Sequence, residues 1–203
     1  MEETLSILES VRREILRMGR GSILFAQDFT GLGPSDGIRQ ALCSLTEERY
    51  ITRLAQGVYC FPVLYGEYDI RTAYPTPEEI AQAVAAHSQC RIVPYGDRAA
   101  YLVGFTTLQM GRWTYLTDGA PRNIRMGEHG TITFRHTSEM RIFSFRNRTM
   151  QLLSLAIRAL GKDGITPEIR SKIACALTGV PQDEYLDDLK LCPGWVMEIL
   201  TDL

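Results

Sequence analysis

The 203-residue sequence predicts an α+β fold: an N-terminal winged helix-turn-helix, then a mixed domain with an antiparallel sheet and C-terminal helices. Three observations carry this reading. Helix, short strand, helix, turn, helix and hairpin signals follow one another within the first 62 residues. Thr76-Pro77-Glu78-Glu79 then has the form of a capping box with proline at the first helical position, which opens a second domain. Beyond it, short alternating segments from Arg112 to Phe145 give way to four apolar-periodic stretches. The division is therefore 1–62 for the winged helix, 63–75 for a connector and 76–203 for the α+β domain.

Leu5, Leu8, Val11, Ile15 and Met18 recur at helical spacing, and Gly19-Arg20-Gly21 stops the run. Ser22–Phe25 reads as a strand and Ala26–Phe29 as a short helix broken by Gly31-Leu32-Gly33-Pro34. Ser35 is placed to cap the next helix, Asp36–Arg49, which buries Ile38, Ala41, Leu42 and Leu45. Two β-rich pieces, Tyr50–Leu54 and Val58–Phe61, flank Ala55-Gln56-Gly57 and form the expected hairpin, or wing.

A helix of this width fits the major groove of duplex DNA, and a hairpin beside it reaches phosphates or the minor groove. The outward arc holds Asp36, Gly37, Gln40, Ser44 and Glu47, with Arg39 at its flank. Arg39 and Gln40 are the candidates for base edges or phosphates, since arginine pairs with guanine and glutamine with adenine. Ser35 and Ser44 are candidate phosphate donors, and Arg53 and Gln56 are the wing candidates. The alternatives are that Arg39 simply pairs with Asp36 and that Arg53 serves the hairpin itself. Asp36, Glu47 and Glu48 cancel Arg39, Arg49 and Arg53 in number. DNA affinity grows with phosphates neutralised, so a single neutral head is expected to bind weakly.

After the Pro-, Gly- and Tyr-rich connector, Ile80, Ala83, Val84 and His87 mark the inner face of a helix. Arg91–Pro94 reads as a strand and Arg98–Gly104 as a helix capped by Asp97. Trp113, Tyr115 and Thr117 alternate into an Asp118-Gly119 hairpin signal. Strands over Arg122–Met126, Thr131–His136 and Met140–Phe145 follow, and then helices around 152–160, 166–177, 185–191 and 195–200.

Net charge is −2, but its distribution is uneven. Residues 91–148 carry nine Arg, no Lys and four acids. Arg112, Arg122, Arg125 and Arg135, with Arg98 nearby, are expected to share one sheet face as a second nucleic-acid or anionic-ligand surface. Arginine without lysine suits bidentate contact with phosphate. Scattered solvated charges are the competing reading.

Five cysteines, Cys43, Cys60, Cys90, Cys175 and Cys192, form no C-x-x-C pair, so reduced thiols in the cytoplasm are expected. No signal-peptide pattern and no apolar run near ~18 residues is present, which predicts a cytoplasmic protein with no membrane contact. Phosphate-loop, nucleophile-elbow and zinc-protease motifs are missing. His129, His136 and Asp118 have no spacing that demands a metal. The expectation is a non-enzyme without cofactor or metal.

The segments IRQALCSLTEERYITRLAQGVYCFP, TPEEIAQAVA, RIVPYGDRAAYLVGF and YLTDGAPRNI, with Asp28-Phe29 ahead of them, resemble the AbiEi-like antitoxin family, regulators of type IV toxin–antitoxin systems. The resemblance covers nearly the whole chain. It implies a winged helix that binds inverted repeats upstream of its own operon, with Arg39, Arg53 and Gln56 as DNA contacts. It also implies a C-terminal domain needed to neutralise a nucleotidyltransferase-like toxin without a stable complex. TEERYI departs from the family pattern, with two acids where relatives often carry lysines. The rival class is a protein–protein interaction module whose winged helix docks a partner protein.

Overall fold

The computed structural model describes residues 6–66, 71–108, 111–127 and 130–203, which form a mixed α and β protein. The residues group into two compact units, Met1–Ala83 with Ile124–Gly127, and Val84–Asn123 with Glu128–Leu203.

The first unit begins with α1 (Ile7–Met18), and Ser6 and Glu9 build a reciprocal capping box at its start. Glu9 Oε2 accepts from the Ser6 amide at 3.0 Å, while Ser6 Oγ accepts from the Glu9 amide at 3.2 Å. The Ser6 amide, and then the Ser6 hydroxyl, which donates to the same oxygen at 2.9 Å, hold the Glu9 carboxyl below its ordinary range. Strand β1 (Ile23–Phe25) leads into a 3-10 helix over Ala26–Leu32, and α2 (Ser35–Glu47) follows. Pro34, not Ser35, holds the cap position of α2; proline's fixed φ suits that place, and Ser35 becomes the first helical residue. The hairpin is β2 (Thr52–Ala55) and β3 (Val58–Cys60), and the three strands order β1-β3-β2, all antiparallel. Val11, Ile15, Leu24, Phe29, Ile38, Leu42, Leu45, Ile51 and Phe61 close the core. A Cβ at Gly37 would stand 2.7 Å from Ile7 Cδ1, so a glycine there leaves room for that terminal methyl.

The connector is not irregular: Val63–Tyr65 (β4) pairs antiparallel with Arg71–Ala73 (β5). Its Pro and Gly content masked two three-residue strands. Helix α3 (Pro77–His87) starts as expected, Glu79 Oε2 accepting from the Thr76 amide at 2.6 Å. Its buried face is Ile80, Ala81, Val84 and Ala85, and His87 is exposed, one step round from the expected face.

In the second unit, β6 (Ile92–Pro94) precedes α4 (Asp97–Leu102), which Gly96 rather than Asp97 caps. Then come β7 (Arg112–Thr117), β8 (Arg122–Arg125) and β9 (Thr131–His136), in the sheet order β6-β7-β9-β8. The expected wholly antiparallel sheet is corrected: β6 and β7 are antiparallel, but β7 and β9 are parallel. Asp118-Gly119 therefore does not close a hairpin, since β9 lies between β7 and β8. Instead Thr117 Oγ1 accepts from the Gly119 amide, and Asp118 accepts from the Arg91 amide at 2.7 Å. Alternation reveals which face a residue takes but not which strand is its neighbour.

Met140–Phe145 is not a strand. Met140–Phe143 forms a 3-10 turn tied to α5 (Arg148–Leu160) by side chains. Buried Gln151 donates to the Ile142 carbonyl at 2.7 Å, and Glu139 joins Arg141 and Arg158. Helix α5 is buried at every position from Met150 to Ile157, and α6 (Pro167–Leu177), α7 (Gln182–Leu189) and α8 (Gly194–Thr201) pack on it. Asp188, fully buried, accepts from the Arg146 and Asn147 amides at 2.8 Å each and so anchors the loop that opens α5.

Asp188→Ala strips the acceptor from both amides and is expected to cost about 3 kcal/mol in urea unfolding. All five thiols are unpaired, and burial pushes Cys60 up to about 11. A thiol reagent at pH 8 is expected to label exposed Cys43 and Cys175 rapidly, and Cys60 and Cys192 only on unfolding.

Candidate nucleic-acid interface

Helix α2 buries Ile38, Ala41, Leu42 and Leu45, and this four-residue stripe sets its rotation. The exposed residues of the helix are then Ser35, Asp36, Arg39, Gln40, Cys43 and Glu47, which fall on one side at helical spacing. Arg39 and Gln40 thus stand at the centre of the outward arc, where Ala41 on the inner face has turned them. Gly37 and Ser44 fall back to half-buried flanks. Ser35 is exposed at the N-terminal end of the same stripe.

Four residues, Glu48–Ile51, carry the chain from the end of α2 into the hairpin. Gln56-Gly57 is its two-residue tip, and Gly57 takes φ +74°, which a tight hairpin turn requires. Gln56 is exposed at the tip; Arg53 is exposed on β2, its Nε donating to the Ala55 carbonyl at 3.4 Å. A bulge between Arg53 and Ala55 twists this strand. The structure thus gathers Ser35, Arg39, Gln40, Arg53 and Gln56 in the first unit on α2 and its hairpin.

The charges are not all available. Arg39 bridges to Asp36 on the same stripe, the pairing weighed from the sequence. Glu48, however, is held by Arg12 of α1, whose guanidinium also lies 4.9 Å from the Tyr50 ring. Of the six charges on residues 35–57, the two pairs leave Arg49, Arg53 and Glu47 without an ion-pair partner among the described residues.

Arg49 is the residue that sequence reasoning missed. It has φ +57°, the left-handed region that glycine usually fills at a helix end. The Tyr50 amide reaches the Leu45 carbonyl at 2.9 Å and the Arg49 amide the Thr46 carbonyl at 3.0 Å, a Schellman closure with arginine at the left-handed position. The readable signal was negative: a strong helix stop that lacks its glycine. Its exposed guanidinium stands between helix and hairpin.

The second set of arginines does not share one sheet face. Arg122 and Arg125 are three apart on β8 and face opposite ways. Arg122 lies over Phe134 at 5.5 Å and donates to Val84 O at 3.1 Å and Ser88 Oγ at 2.7 Å. Register places Arg112 and Arg135 together on the opposite face from Phe134, Arg135 lying 5.9 Å from the Tyr95 ring. Arg98, on α4, sits over Tyr101 at 5.6 Å. Among the described residues, no group of three or more His, Cys, Asp or Glu side chains could hold a metal ion. Asp118 is engaged by Arg91, and His129 lies outside the described residues. No helix among the described residues is long and apolar enough to cross a membrane.

The chain belongs to the family described as "Family of unknown function (DUF6088)", whose profile matches residues 10–184. Comparison with curated proteins and with solved structures finds no match.

Arg49→Gly removes the Cβ strain of a left-handed residue and is expected to raise stability by up to about 1 kcal/mol, read from the urea midpoint at constant m. A loss of stability would show that the Arg49 side chain itself supports the fold.

Proposed function

We propose that the chain is a DNA-binding transcriptional autoregulator and the antitoxin of a type IV toxin–antitoxin system. In this reading the first unit is a winged helix-turn-helix and α2 its recognition helix. Arg39 and Gln40 read base edges in the major groove, Ser35 donates to a phosphate, and the wing places Arg53 and Gln56 against the backbone. Ser44, half-buried, contributes at the margin. Arg49 adds a phosphate contact between helix and wing. The supporting observation is the exposed stripe of Ser35, Arg39 and Gln40 on a helix that runs directly into a hairpin tipped by Gln56 and Gly57. The protein acts in the cytoplasm on an inverted-repeat operator, two heads compensating for the modest charge of each. Its functional partner is a nucleotidyltransferase-like toxin, opposed without a stable complex, and the chain itself carries no catalysis.

Fluorescence anisotropy with duplex from the region upstream of the protein's own gene tests the reading. Arg39→Ala is expected to cost about 1–3 kcal/mol on that duplex and less on a scrambled one. Arg53→Ala is expected to weaken all duplexes alike and to flatten the log K against log salt slope by about 0.9. Asp36→Asn releases Arg39 from its bridge and is expected to tighten binding several-fold, by the worth of an exposed charge pair. Equal affinity for the two duplexes at every salt concentration would refute the proposal.

A second reading draws on the Arg39–Asp36 bridge, which leaves the middle of the stripe locally uncharged: the head docks a protein instead. There, Asp36→Asn leaves duplex binding unchanged.

A further inference from the structure

In the second unit an open depression of about 480 Å³ lies along the start of β8 and the C-terminal half of β9, lined by Pro121, Arg122, Asn123, Thr133, Phe134, Arg135 and His136. Its volume is that of a small-ligand site, but its chemistry is polar. β8 is the edge strand, and consecutive residues of both strands take part, so side chains from both faces border the depression. Arg122 comes from the Phe134 face and Arg135 from the Thr133 face. Among the described residues no carboxylate lines it, and neither guanidinium has an ion-pair partner. In the same unit Arg91 is paired with Asp118, Arg141 and Arg158 with Glu139, and Arg146 with Asp187.

The groups are also positioned in advance. Arg122 is held by Val84 O, Ser88 Oγ and the Phe134 ring, which use one end of its fork and leave Nε and Nη1 as donors. His136 Nδ1 bonds the Gly119 carbonyl at 2.9 Å, so Nδ1 carries the proton and Nε2 is left for a ligand. Asn123 adds an amide and Thr133 a hydroxyl. Two guanidiniums, an amide, a hydroxyl and a ring nitrogen, with no opposing acid among the described residues, match one class of ligand.

We propose that this depression is a phosphate-monoester site, with Arg122 and Arg135 gripping the anionic oxygens and His136 Nε2 accepting from a protonated one. The monoester belongs either to a free small phosphate or to the terminal phosphate of a nucleic-acid strand. The site lies within the second unit and stands whether or not the head binds DNA.

Calorimetric titration of the full chain with inorganic phosphate, a nucleoside 5′-monophosphate, and a short single-stranded oligonucleotide with and without its 5′-phosphate tests it. The expected result is saturable 1:1 binding of a monoester probe. Arg135→Gln, at an exposed position, is expected to weaken it at least about tenfold, the worth of a charge-assisted bond. Asn123→Asp, also exposed, is expected to abolish it while the thermal midpoint holds. Binding of the mononucleotide assigns the small ligand; binding of the oligonucleotide alone, dependent on its 5′-phosphate, assigns the strand end. Both support the site. Failure of every probe to saturate, wild-type affinity in both variants, or oligonucleotide binding indifferent to the 5′-phosphate overturns it. Operator-duplex affinity unchanged in Arg135→Gln separates this outcome from that of the DNA proposal.

Discussion

Burial of Ile38, Ala41, Leu42 and Leu45 against the first unit's core is the constraint on which the candidate interface depends. A helix has one rotational freedom about its axis, and an apolar stripe removes it. Once those four residues point inward, Asp36, Arg39, Gln40, Cys43 and Glu47 have no other direction to take. The same core holds Ile51 and Phe61, so the hairpin is anchored by the packing that orients the helix. Gly37 leaves room for the terminal methyl of Ile7, which a side chain there would have to displace.

Electrostatics modify this arrangement in a way that counting charges does not reveal. Residues 35–57 sum to zero, yet the acids are unequal. Asp36 lies on the outward stripe and masks Arg39, whereas Glu48 is taken by Arg12 from α1. The head therefore ends with two arginines, Arg49 and Arg53, against Glu47. One of those arginines sits in a backbone conformation that glycine would adopt more cheaply. Strain retained at an exposed position of a candidate interface is the kind of feature that a functional contact explains.

The second unit is organised around α5, buried on all sides because α4, α6, α7 and α8 pack on it. Asp188, its one fully buried charged residue among the described residues, is satisfied by two main-chain amides, and it therefore joins α7 to the start of α5. Four of its ten arginines, Arg91, Arg141, Arg146 and Arg158, are paired with carboxylates. Arg122 and Arg135 instead lie against aromatic rings, and Arg122 also against neutral acceptors.

The order of elements in the first 62 residues, the Thr76–Glu79 capping box, the inner face of α2 and the isolated thiols were all legible in the sequence, because each depends on contacts within a few residues. Less was legible where partners are distant. Met140–Phe143 became a 3-10 turn because Gln151 and Arg158 of α5 hold it, and no local pattern encodes that. β7 took β9 as a parallel neighbour rather than β8 across Asp118-Gly119. That pairing put Arg122 on the opposite sheet face from Arg112 and Arg135, although all three had looked like one face. The linear chain thus determined which residues are buried and which are charged. The tertiary structure alone decided which charges meet, because strand pairing and ion pairing join residues tens of positions apart.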